Sequence, residues 1–246
     1  MARIELVAAN RRAAWAYGRS LREELLAKYR EEFGLAAAPA PAKVVDELFP
    51  YLGASLRFEP LPLDRFAETV VVDGRPLVRV NERLRDIPGV KDAHGVENVA
   101  KWHELVHVAR DLDVLRAPAS AMLPGFAAPG FVCRRAVGAL PAVEAREFFA
   151  EEAGRAAAVS LRALQRAEPF RLLLARAHDG AEPVAGAWTL LYESAEAIGV
   201  NISALVKQLS LEGLIVVDGR GSGSRVYVQR PLTALDGGEG DGAGSG

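Results

Sequence analysis

Between residues 8 and 33, apolar positions recur every three or four residues among arginines and glutamates, which predicts one amphipathic helix stopped near Gly34. "LAAAPAPAK" then reads as a stiff linker. A short helix over residues 44–48, closed by "PYLG", leads to a strand in "ASLRFEPL". In "TVVVDGRPLVRVN" two β-branched runs flank Asp73-Gly74, a pair that accepts the positive φ angles of a tight turn, so a hairpin is expected here. Pro76 has no N–H to give a ladder and places the start of the returning strand after itself, with residues 77–80 forming a sheet edge. The pattern turns helical over residues 96–112, where Val99, Trp102 and Val106 stand at helical intervals. Pro118, Pro124, Gly125, Pro129 and Gly130 break the next stretch into a long loop. Pro141 suits a first helical turn, and the helix it opens should run through "AVEAREFFAEEAGRAAAVSLRAL". The alanine and glycine at its middle would let another helix approach closely. The tail "DGGEGDGAGSG" has almost nothing to bury and is expected to be disordered.

From Trp188 the pattern is two short helices and a hairpin. "YESAEAIGVNISALVKQLSLEGLIVVDGRGSGSRVYV" has the spacing of a winged helix-turn-helix: Ala195, Ile198 and Val200 pack the first helix and turn, and Gly199 allows the bend. Ile202, Leu205, Val206 and Leu209 bury the second helix, Gly213 caps it, and "LIVV" and "RVYV" flank a polar wing. If this module binds DNA, Asn201, Ser203, Lys207 and Gln208 of the second helix would enter the major groove, and Arg220 and Arg225 of the wing would reach phosphates. Such modules also serve as protein docking surfaces, and the second helix carries a single basic residue.

Charge narrows these readings only slightly. The 246 residues hold 30 Lys and Arg against 32 Asp and Glu, so nothing in the bulk charge draws the chain to nucleic acid or membrane, and any such contact must come from a local patch. One cysteine, Cys133, excludes an internal disulfide framework and a cysteine-rich metal site. With no signal-like segment and no apolar span, the chain is expected in the cytoplasm and away from membranes.

The candidate chemistry lies in "KWHELVHVARDL". Residues four apart share a helix face one turn apart, so the imidazoles of His103 and His107 can reach one divalent ion. Glu104 adjoins the first ligand and is placed to take a proton from a water that the ion activates. An open catalytic site needs a third protein ligand, and the alanine-rich helix offers Glu144, Glu147 and Glu151 on roughly one face. Glu147 is favoured because Ala150, Ala153 and Gly154 follow it at helical offsets; Glu151, with Gly154, Ala157 and Ala158, is the alternative. Two histidines and a carboxylate accept Zn2+ or Mn2+. His94 and His178 are read as surface or core histidines, and Trp15, Trp102 and Trp188 as packing.

The order of strand, Asp-Gly hairpin "VVVDGRPLVRVN", helix "HELVH", glutamate-bearing alanine-rich helix and helix-turn-helix resembles the ImmA/IrrE-like metallopeptidases. That family has a zincin-like fold, typically with a strand ending in asparagine, a His-Glu-x-x-His helix, and a Glu-x-x-Ala-Asn helix giving the last zinc ligand. Matching the latter to "EFFAE" makes Glu147 the ligand; matching one turn later, to "EEAGR", makes it Glu151. The resemblance implies an α+β chain and a zinc-dependent endopeptidase that cuts a partner repressor protein. The resemblance covers residues 44–165 as a zincin-like metallopeptidase domain, and the residue pattern sets around it an N-terminal helix and linker over residues 1–43, a connecting helix over 166–187, a winged helix-turn-helix over 188–232 and a tail over 233–246. The competing expectation is a winged-helix DNA-binding regulator whose zincin-like domain is a sensor that cuts nothing.

Overall fold

The computed structural model describes residues 2–113, 131–134, 141–177, 180–219 and 223–229. The chain is α+β, with seven α-helices and two small sheets among the described residues. Helix α1 (Ala2–Phe33) is followed by 3-10 turns at Pro41–Lys43 and Val45–Leu52 and by strand β1 (Ser55–Glu59). Strands β2 (Arg65–Val72) and β3 (Arg75–Asn81) form the hairpin that Asp73-Gly74 announced, with φ of 51° and 75° at the two turn residues. Helix α2 (Ala93–Arg110), strand β4 (Phe131–Arg134) and helix α3 (Pro141–Ala158) come next. Helices α4 (Leu161–Arg166), α5 (Glu168–Ala175), α6 (Ala187–Ile198) and α7 (Ile202–Leu211) precede a second hairpin of β5 (Ile215–Asp218) and β6 (Arg225–Val228).

The larger sheet has the order β1-β3-β2-β4, with β1 parallel to β3 and the other two pairings antiparallel. Residues 77–80 are therefore not an edge, because β3 is paired on both sides. Nor does Pro76 delay the strand: it stands opposite Val71 inside the ladder. In a two-residue hairpin the pair flanking the turn, here Val72 and Arg75, exchanges the hydrogen bonds, so the nitrogen of the next residue faces the other neighbour. That neighbour, β1, begins only at Ser55 opposite Leu77, so the N–H that proline lacks has no carbonyl to meet.

Helix α2 lies between β2 of the sheet and α3, and α1 packs along the far side of α3. This middle position explains why α2 is buried on nearly every side, Trp102, Leu105 and Val106 to 0% exposure, and why its sequence shows little amphipathic contrast. Its one buried amine, Lys101, is held by Glu97 and Asp46 at 2.6 Å each. Where one long helix was expected to run past residue 158, Ser160 adopts extended backbone and its Oγ accepts from the Ala163 N–H at 3.3 Å, capping a separate α4.

Buried side chains form one hydrophobic cluster reaching from Leu25 of α1 through Val80, Leu105 and Ala157 to Leu205 and Val226. The C-terminal helices thus share a core with the rest of the chain. Between α6 and α7, Gly199 makes the turn in the left-handed region at φ 79°. No helix among the described residues is long and apolar enough to cross a membrane.

Candidate metal centre

Helix α2 starts where the Asp92 carboxylate accepts from the Gly95 N–H at 2.9 Å, and three turns on it carries His103 and His107 into the space beneath α3. The two Nε2 atoms are 3.0 Å apart. Helix α3 adds Glu147, with Oε2 3.2 Å from His103 Nε2 and Oε1 3.5 Å from His107 Nε2. The approach is possible because of small residues: a Cβ on Gly154 would lie 2.7 Å from the His103 backbone nitrogen, and Ala150, Ala153 and Ala157 are fully buried. Zinc–ligand bonds of about 2.0–2.1 Å imply ligand–ligand edges of roughly 3.3–3.4 Å in a tetrahedron. The nitrogen–nitrogen separation is slightly shorter than that value, and the two nitrogens face different oxygens of Glu147. His103, His107 and Glu147 form a group able to hold a metal ion, their ligand atoms all within 4.8 Å of one another.

Two further side chains brace the group. Asp111, one turn beyond His107, takes a 2.9 Å hydrogen bond at Oδ2 from His107 Nδ1, which orients the ring and directs Nε2 at Glu147. Thr69 of β2 donates from Oγ1 to Glu104 Oε2 at 2.6 Å. Glu104 is wholly buried, and its other oxygen, Oε1, has no hydrogen-bond partner among the described residues. A buried carboxylate oxygen without a partner is costly and fits a site that receives a proton-bearing ligand. Burial pushes the Glu104 pKa up, against the pull of His103, His107 and Thr69. For His107 burial favours the neutral ring, but the hydrogen bonds to Asp111 and Glu147 overcome it and raise the pKa to about 9. Glu147 is also disfavoured as an anion by burial, yet the two imidazoles bring it down to about 2. Metal-free, the group is thus a proton held between imidazole and carboxylate, which a cation can replace.

The other candidates are dispersed. Glu151 turns away from the histidines, with Oε1 2.6 Å from Lys207 Nζ and 3.4 Å from Arg155. The side chain of Glu144, and all of His178 and Arg220, lie outside the described residues. His94 meets Asn98 at 3.3 Å, away from the group. Gln208 is 0% exposed, accepting from Arg155 Nε at 3.2 Å and donating to Glu212 at 2.6 Å, so it cannot enter a DNA groove without leaving the core. Asn201 is occupied as the cap of α7, accepting from the Ala204 N–H at 2.8 Å. Ser203, Lys207 and Arg225 are exposed. The misassignment of Gln208 has a physical cause, because the face of α7 bearing it packs on α3.

Sequence reasoning missed Thr69 and Asp111. The i, i+4 relation to His107 would have found Asp111. Thr69 is brought in by tertiary packing alone. No family model, no curated protein and no solved structure matches the chain. Fold and site together define it as an α+β protein with a His-His-Glu group suited to a metal ion.

Proposed function

We propose that the chain is a metal-dependent endopeptidase, with a zincin-like domain built on the larger sheet, α2 and α3, and a C-terminal winged helix. The observation that carries this reading is the convergence of two imidazole nitrogens of one helix, 3.0 Å apart, with the Glu147 carboxylate of another, whose two oxygens lie 3.2 and 3.5 Å from them, beside a buried carboxylate with an unpartnered oxygen. His103, His107 and Glu147 would hold Zn2+, or Mn2+ as the alternative. Bound there, the ion supplies Lewis acidity, polarising a carbonyl and lowering the pKa of water. Glu104 acts as general base and later passes its proton to the leaving amine. Thr69 fixes one oxygen of Glu104 so that the other is the acceptor, and Asp111 holds the His107 ring in its ligating orientation. The ImmA/IrrE-like resemblance supplies the substrate class, a repressor protein cut in the cytoplasm. The test is cleavage of candidate repressors by the metal-loaded chain: activity in the wild type, abolished in Glu104→Gln with metal retained, supports the reading. Equal cleavage by wild type and Glu104→Gln contradicts it.

The second reading, a DNA-binding regulator that cuts nothing, is favoured by the turn between α6 and α7, the two-stranded hairpin after it, and the exposure of Ser203, Lys207 and Arg225. An operator shift that persists when metal is stripped, in a chain that cuts no repressor, would select it.

A further inference from the structure

A concavity lies between α1, the 38–40 segment, the α3–α4 turn, α4 and the end of α6, with a volume near 1000 Å³. None of the metal-binding residues lines it. Its wall holds five arginines, Arg19, Arg22, Arg30, Arg162 and Arg166, against two carboxylates, Glu23 and Glu212. Both carboxylates are committed: Glu23 lies 3.4 Å from Arg22, and Glu212 lies 3.6 Å from Arg19. The remaining three guanidinium groups have no carboxylate within 4.0 Å among the described residues. Arg30 donates to the Leu35 and Ala36 carbonyls at 3.5 and 3.3 Å, and Arg166 donates to the Ala38 carbonyl at 3.0 Å. A neutral carbonyl fixes the fork in place without cancelling its charge, so these donors are preorganised and still cationic. The chain as a whole is slightly acidic, at −2, so a local excess of three positive charges runs against its composition. Leu26, Val159, Leu161 and Ile198 supply apolar wall beside the arginines.

We infer that this concavity binds a phosphorylated small molecule of roughly nucleotide size, its phosphates on Arg30, Arg162 and Arg166 and its body on the apolar wall. Phosphate presents several oxygens to several forks at once, and the space far exceeds one inorganic ion.

The inference is independent of the metal centre and is tested on the metal-free full chain, where no bound cation can capture the probe. Inorganic triphosphate is titrated calorimetrically at constant ionic strength set with sodium chloride. One saturable site per chain is expected, unaffected by His103→Ala. Arg162→Glu, a position exposed and without a structural partner among the described residues, should weaken binding at least tenfold while leaving the Tm unchanged. Absence of saturable binding by the wild type, or equal binding by Arg162→Glu, overturns the inference.

Discussion

Two carboxylates of the site are displaced in opposite directions, Glu104 upward by burial and Glu147 down to about 2 by the imidazoles it faces. The division suits a base and a ligand. Glu104→Gln should keep its metal and lose about 10²- to 10⁴-fold in cleavage rate, measured with metal content on the same sample. Asp111→Ala releases the His107 ring and should weaken metal affinity about 10- to 100-fold in a chelator competition. His107 has its folded pKa raised above 6.5, so its contribution to the metal-free chain is fully present below that pH and lost as pH rises through about 9. The Tm of the metal-free chain should therefore fall between pH 6.5 and 9, a loss that His107→Ala removes. His103, Glu104 and His107 were legible in the sequence because helical spacing alone fixes their relation. Glu147 was favoured over Glu151 by the small residues that follow it, but the two stand one turn apart and only the rotation of α3 decides between them.

At the level of elements, that rotation is set by close contacts on both sides of α3. Gly154 abuts the His103 backbone, and on the opposite flank a Cβ on Gly18 of α1 would lie 2.1 Å from the Ala153 carbonyl oxygen. Gly154→Ala must push α3 away from α2 and should cost about 1–3 kcal/mol by denaturant unfolding, with metal retention reduced in the same variant. The small-residue run in α3 was legible as a site of close helix approach. The hairpin was legible from Asp73-Gly74, but its place in the sheet was not: whether β3 is an edge depends on β1, a partner joined in parallel from an earlier segment. Pro76 was misleading for the same reason, its tolerance resting on where β1 begins.

Across the whole molecule, α7 is tied to α3 by the buried Arg155–Gln208 hydrogen bond and the exposed Lys207–Glu151 pair, while Asn98 of α2 donates to the Gly199 carbonyl at 2.8 Å. With one hydrophobic cluster beneath these links, unfolding should be a single transition that metal shifts as a unit. The two short helices and the hairpin after them were legible as local pattern; the face that α7 turns inward was not, because the sequence cannot say that α3 covers Gln208. Metal content per chain, after dialysis against zinc and then buffer, tests the central claim most directly. One equivalent in the wild type and in Glu151→Ala, with none in Glu147→Ala or His103→Ala, is the predicted result. Full retention in Glu147→Ala, or no metal in the wild type, would contradict it.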